Sequence, residues 1–194
     1  MAKLSGFKKI NTAVFISGRG SNLKNLIKFS NQKKSPIKIR FVLSDKKKAK
    51  GLIFSKKINI DTKIYNFKKK SKTEKKILKD LKHRGIKLIC LAGFMRILSG
   101  NFIKKFGHKI LNIHPSLLPK YRGLNTHKRV IENKEKFTGC TVHLVNSKLD
   151  SGKIIMQKKI KIKKNDNFKT IEKKVLKEEY KLYPRAIKKI LTNL

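Results

Sequence analysis

The sequence predicts an α/β protein built on a mostly parallel sheet flanked by helices, and three observations predict it. Short β-rich apolar runs alternate with segments whose apolar residues recur at helical spacing. The first of these runs ends in a glycine-rich turn. Residues 87–92 (KLICLA) are too uniformly apolar for a strand with one wet face, as expected of a central parallel strand covered on both sides. At 194 residues the chain suits a single domain, 1–194, with no composition break that would divide it.

Taken in order, residues 12–17 (TAVFIS) read as a strand, Gly18 and Gly20 as a tight turn, and Leu23, Leu26 and Ile27 as the inner face of a helix. Ser21 stands where a helix N-cap is expected. A second strand covers 37–43 after Pro36 and ends at Ser44 and Asp45, and a third covers 62–65. Ile77, Leu78 and Leu81 predict a helix over 71–82. Beyond the strand at 87–92, Gly93 breaks the chain, 98–106 reads as a helix, and 109–113 reads as a strand stopped at His114 and Pro115. This alternation describes a Rossmann-like N-terminal half, about 11–113, suited to a nucleotide phosphate. The order then changes: strands over 139–145 and 154–162, separated by a polar turn, predict an antiparallel extension, and 167–191 predicts a closing C-terminal helix. Residues 114–194 would then supply catalysis and the second ligand site.

Composition narrows the function classes. The longest uncharged apolar stretch, 88–95, is far short of the roughly 18 residues of a membrane span, and 1–9 lacks a leader's apolar segment, so a cytoplasmic protein with no membrane partner is expected. Cys90 and Cys140 sit in strand-like runs without a C-x-x-C spacing and read as buried thiols. The formal net charge of +41 would by itself point to nucleic acid. Lysine is spread over almost every solvent-facing position, including 46–48, 68–70 and 158–164, without aromatic interleaving or a nucleic-acid motif. That distribution leaves non-specific attraction to nucleic acid and a preference for anionic small substrates.

Two segments carry chemistry. In SGRGSNL, residues 17–23, the glycines allow a close turn and the helix that follows offers N–H groups to a phosphate. In LNIHPSLLPKYRGLNTH, residues 111–127, side-chain alternation puts Asn112 and His114 on one face at the carboxyl end of a parallel strand, where open α/β sheets bind ligands. An amide beside an imidazole suits a tetrahedral intermediate, the amide donating to the oxyanion and the imidazole donating or moving a proton. Asp150 could orient that imidazole and favour its charged form. His143 shares a strand face with Thr141 and Val145. His108, His114, His127 and His143 lack metal-ligand spacing, so no metal is expected.

The motifs ISGRGSNL (16–23), LAGFMRIL (91–98), LNIHPSLLPKYRGLNTH and the LDSG loop (149–152) resemble, in order and over about 11–185, the phosphoribosylglycinamide formyltransferase family. The resemblance implies transfer of a formyl group from the cosubstrate 10-formyl-tetrahydrofolate to the amine of glycinamide ribonucleotide, by a monomer or homodimer. It implies Asn112, His114 and Asp150 as the catalytic trio, with Gly20, Ser21, Asn22 and Glu179 on the ribonucleotide. Met95, Arg96, Ile97, Leu98, Asn112, His143 and Lys70 would lie along the folate. Two departures stand out: Ser151 follows Asp150 where the family commonly has glycine, and a lysine stands near 70–72 where it often has arginine, which loses bidentate carboxylate pairing. The alternatives are another 10-formyl-folate enzyme, namely a formyl-folate hydrolase or a methionyl-tRNA formyltransferase, and a non-catalytic basic nucleic-acid binder.

Overall fold

The computed structural model describes residues 9–191; the 1–8 segment, read above as lacking a leader, and 192–194 lie outside the described residues. One sheet of seven strands organises the chain: β1 (Ile10–Ile16), β2 (Ile37–Ser44), β3 (Asp61–Ile64), β4 (Leu88–Leu91), β5 (Lys109–His114), β6 (Phe137–Leu144) and β7 (Ile154–Lys161). Their order is β3-β2-β1-β4-β5-β6-β7. The first five pair parallel, and β6 and β7 add antiparallel. The α/β class, the parallel sheet, the antiparallel extension and the closing helix all agree with the sequence reading.

Helices cover both faces: α1 (Ser21–Ser30), α2 (Leu52–Lys56), α3 (Lys70–His83), α4 (Gly100–Phe106), α5 (Thr126–Glu132) and α6 (Phe168–Leu191), with a 3₁₀ turn at Phe67–Lys69. On one face Leu23 and Leu26 of α1 and Val175, Tyr183 and Ile187 of α6 pack on Val14, Cys90, Leu111 and Val142. On the other, Ile77 and Leu81 of α3 and Phe102 of α4 pack on Phe15, Phe41, Ile89 and Ile110. Cys90 and Cys140 are both fully buried and free, and burial pushes each thiol up to about 12.

The two five- to seven-residue helices, α2 and α5, escape a periodicity reading because each shows less than two turns of pattern. The helix expected over 98–106 begins two residues later, since Ser99 is extended and its hydroxyl accepts from Phe102 N, capping α4. Ser21 is not the N-cap of α1. Gly20 occupies that position in the left-handed region (φ 74°), and no side chain caps the helix.

Strand order sets the ligand crevice. The chain runs from β1 outward to β3, then returns to β4 on the other side of β1. The loops after β1 and β4 therefore diverge at their carboxyl ends, the usual binding position in open α/β sheets.

Candidate active site

On β5, Asn112 and His114 follow Ile110 by the two-residue alternation, so they share its face at the strand's exposed end. The antiparallel register sets His143 of β6 directly opposite Asn112 and Thr141 opposite His114, which brings a second imidazole onto the same face. Asp150 reaches them because the loop after β6 folds back over the sheet. Leu144 N donates to Lys153 O at 2.9 Å and closes the loop at its base. Its tightest point is Gly152, where an added Cβ would lie 1.7 Å from the Leu144 carbonyl oxygen.

The four polar side chains form one cluster. Asp150 Oδ2 lies 3.4 Å from His114 Nδ1, and Oδ1 lies 3.6 Å from His143 Nε2. The Asn112 amide donates to His143 Nε2 at 3.1 Å and to Asp150 Oδ1 at 3.3 Å. Gly123 N donates to Asp150 Oδ2 at 2.9 Å. Asp150 holds a positive φ of 44°, a conformation aspartate tolerates better than most residues.

Carbonyl acceptors fix both tautomers, because a carbonyl can only accept. His114 Nε2 is 2.8 Å from Tyr121 O, so Nε2 carries the proton and Nδ1 is left facing Asp150. His143 Nδ1 is 2.8 Å from Leu144 O, which leaves its Nε2 as the acceptor for Asn112. Tyr121 presents its carbonyl through a left-handed backbone (φ 58°), and its hydroxyl is anchored by Glu135 and Asn133.

Asp150 does favour the charged form of His114, but burial acts more strongly in the opposite direction. Burial pulls the imidazole below its ordinary value, and the Tyr121 carbonyl and Asp150 carboxylate only partly offset it. His114 is therefore neutral at pH 7 in the free protein. Burial would raise Asp150, but the adjoining His143 and His114 side chains and the Gly123 N–H outweigh it and hold the acid below the usual carboxylate value.

The glycine turn is built by two glycines, one of which the sequence reading did not single out. A Cβ on Gly20 would lie 2.3 Å from Gly51 Cα, and Gly51 N donates to Gly18 O at 3.0 Å. Backbone thus packs on backbone, and the first N–H groups of α1, which have no intrahelical partners, open toward the crevice. Two further contacts stitch this helix to α6. Asn22 Nδ2 donates to Glu179 Oε2 at 2.7 Å, and Asn25 Nδ2 donates to Tyr180 O at 2.8 Å. The second supplies the donor that Pro184, inside α6, cannot give to the carbonyl four residues before it.

Glu179 is only 6% exposed, and burial raises its carboxyl from 4.5 to about 7, with the Asn22 bond opposing. Between pH 4.5 and about 7 the unfolded carboxyl is ionised while the folded one keeps its proton. Stability therefore falls as pH rises through that window, by at most about 3 kcal/mol. Glu179→Gln keeps an acceptor for Asn22 and removes this dependence. Thermal melts should show the variant gaining on the parent from pH 4.5 to 8, and a constant difference across that range would remove Glu179 from this account.

The loop after β4 is held at three points. Met95 N donates to Ser17 Oγ at 2.8 Å, Arg96 Nε to Asp45 Oδ2 at 2.7 Å, and Ser99 N to Glu74 Oε1 at 2.9 Å. Leu98 is buried beneath it, whereas Met95 and Ile97 expose more than half of their side chains, as does Leu124. Uncovered apolar groups beside a polar cluster mark a lip for a largely apolar ligand. Lys70 opens α3 and is exposed. Phe67, just before it, packs edge-on against Phe94 at 5.7 Å, which puts Lys70 near this loop and outside the Asn112 cluster. Ser151 leaves the loop's path intact, because the left-handed residue is Asp150 and the Ser151 hydroxyl donates to Asn146 Oδ1 at 3.0 Å.

Sequence reasoning missed Tyr121, Gly123, Gly51 and Glu74. The first three act through backbone groups, so no side-chain pattern announces them; Glu74 read as one more polar helix residue. Among the described residues no group of three or more His, Cys, Asp or Glu is placed to hold a metal ion.

Residues 10–187, nearly the whole described chain, match the formyl transferase family model. The chain belongs to the formyl transferase family. It is 42% identical to the phosphoribosylglycinamide formyltransferase of Haemophilus influenzae, over 93% of this chain and 86% of that protein. It is 40% identical to the human trifunctional purine biosynthetic protein adenosine-3 over 93% of this chain, but spans only 18% of that longer protein. The crystal structure of phosphoribosylglycinamide formyltransferase from Brucella melitensis superposes with a TM-score of 0.89 at 41% identity, covering 94% of this chain and 96% of that one.

Proposed function

We propose that this formyl transferase passes the formyl group of 10-formyl-tetrahydrofolate to the amine of glycinamide ribonucleotide, releasing formylglycinamide ribonucleotide and tetrahydrofolate in cytoplasmic purine synthesis. The observation that carries this reading is the convergence of Asn112, His114 and Asp150 between two differently built lips. The glycine turn with Ser21, Asn22 and Glu179 offers N–H donors and a carboxyl to a phosphorylated amine. The 95–98 loop and Leu124 offer apolar surface to a flat pterin. The names of the relatives point to the same acceptor. No helix among the described residues is long and apolar enough to cross a membrane.

In this reading the glycinamide nitrogen attacks the formyl carbon and the carbonyl oxygen gains charge. Asn112 turns one N–H from its 3.3 Å contact with Asp150 to that oxygen. The proton that the amine loses passes through water and Asp150 to Nδ1 of His114, whose Nε2 is held by Tyr121, and the imidazolium donates it to the same oxygen. As the carbonyl re-forms, that proton returns to His114 and passes, through Asp150 and water, to N10 of the departing folate, so one proton moves in all from the amine to N10.

The test is purified protein with 10-formyl-tetrahydrofolate, with and without glycinamide ribonucleotide. Tetrahydrofolate release that requires the nucleotide is expected. Equal release without it would replace this reading by a hydrolase, and no release in either case would overturn it.

A further inference from the structure

Two of the groups that align the catalytic pair come from one short stretch of backbone. Tyr121 O accepts from His114 Nε2 at 2.8 Å, and two residues on, Gly123 N donates to Asp150 Oδ2 at 2.9 Å. Tyr121 and Gly123 are both left-handed, with φ of 58° and 79°, and an aromatic residue keeps that conformation only where its surroundings impose it. Those surroundings are α5 and the turn that follows it. Arg129 Nη1 donates to Arg122 O at 2.7 Å, and its guanidinium lies 5.2 Å from the centre of the Tyr121 ring. At the far end of the ring, the Tyr121 hydroxyl donates to Glu135 Oε1 at 2.9 Å and accepts from Asn133 Nδ2 at 3.0 Å. Among the described residues, no hydrogen bond joins Arg129, Asn133 or Glu135 directly to Asn112, His114 or Asp150.

A neutral imidazole has one proton for two nitrogens, and at His114 each nitrogen faces an acceptor. The Tyr121 carbonyl stands at Nε2, and Asp150 Oδ2 stands 3.4 Å from Nδ1. A carboxylate is the stronger acceptor of the two. The proton therefore stays on Nε2 only while the carbonyl is held close and the Gly123 N–H keeps hold of Oδ2. Were the stretch released, Tyr121 would leave its left-handed conformation and take its carbonyl with it. The ring proton would then shift to Nδ1, and the nitrogen that has to accept a proton during transfer would already be filled.

We propose that Arg129, Asn133 and Glu135 are positioning residues that act through the backbone of 121–123 to keep Nδ1 of His114 bare. The proposal rests on the formyl-transfer reading for its turnover readout alone, since the place of the ring proton can be read without substrate.

The experiment isotopically labels the histidine ring nitrogens and reads their NMR shifts above the imidazole titration, where an N–H nitrogen is distinct from a bare one. The parent should carry the His114 proton on Nε2. In Tyr121→Phe/Arg129→Gln the Nε2–H share should fall and kcat should fall with it, by about tenfold, the order of one or two ordinary hydrogen bonds. Glu135→Gln leaves an acceptor for the Tyr121 hydroxyl and should keep the parent ring pattern. Lys128→Gln, which breaks only the exposed Lys128–Glu132 pair of α5, should keep the ring pattern and hold kcat within about twofold. Should the double variant fail to fold, Tyr121→Phe alone is read in the same way, with a smaller fall. A variant with the parent ring pattern would overturn the proposal whatever its turnover, because the lost rate would then belong to stability or binding. A parent ring already protonated on Nδ1 would overturn it at the outset. A parent that releases no tetrahydrofolate would sink the formyl-transfer reading instead, and the ring patterns of the variants would still decide this proposal.

Discussion

Asp150→Asn lowers turnover by about 10²–10⁴-fold, the range for losing a positioned acid–base group, while the protein stays folded. The backbone tolerates the change, because asparagine accepts the left-handed conformation that Asp150 adopts (φ 44°). The amide oxygen of the variant side chain can still accept from Gly123 N. Its amide nitrogen, however, would face the Asn112 amide nitrogen, now 3.3 Å from Oδ1, and set donor against donor. The imidazolium also loses its one close negative charge. Burial already holds His114 below the ordinary imidazole value, and removing Asp150 lowers it further, so less of the enzyme can donate a proton at neutral pH. Two measurements check this: tetrahydrofolate release under saturating substrates, and the His114 titration midpoint by NMR in parent and variant. Parent-rate turnover would exclude Asp150 from the chemistry. An unmoved midpoint would show that the carboxylate acts on something other than the ring.

Gly152→Ala is expected to lower turnover by about 10²-fold through displacement of the same carboxylate, and to cost about 2 kcal/mol or more in stability. The new methyl would meet the Leu144 carbonyl, oxygen at 1.7 Å and carbon at 2.8 Å, and this obstacle is backbone and cannot rotate away. The hairpin must therefore open, carrying Asp150 with it. Ser151→Gly provides the contrast. Ser151 needs no left-handed backbone and contributes only exposed hydrogen bonds, so turnover should stay within about twofold of the parent. Melting curves and turnover for the pair test the idea, and an alanine variant as active and as stable as the parent would show that the loop can relax without cost.

How much of this site could be read in advance depends on the kind of group involved. Asn112 and His114 were legible because strand alternation is a property of the backbone, so two residues apart means one face wherever the strand goes. Gly20 announced a turn through its type alone. The state of His114 was not legible: a nearby acid argued for charge, and burial, which is set by everything packed around the ring, decided the opposite. The cap of α1 was misread for a related reason. Ser21 has the right chemistry, but the close approach of Gly51 forces the left-handed residue, and with it the cap, onto Gly20.

By itself the sequence determined the α/β class, the parallel sheet with its antiparallel extension, and the residue types able to stabilise an oxyanion, because periodicity, turn chemistry and the donors and acceptors each side chain carries are local properties. Tertiary structure alone decided that β6 pairs with β5 in the register that seats His143 against Asn112, and that a loop returns to bring Asp150 within 3.4 Å of His114. It also decided that Tyr121 and Leu144 carbonyls choose the proton-bearing nitrogens. These are contacts between residues far apart in the chain, made through backbone groups that every residue carries, so no pattern of side chains could have foretold them.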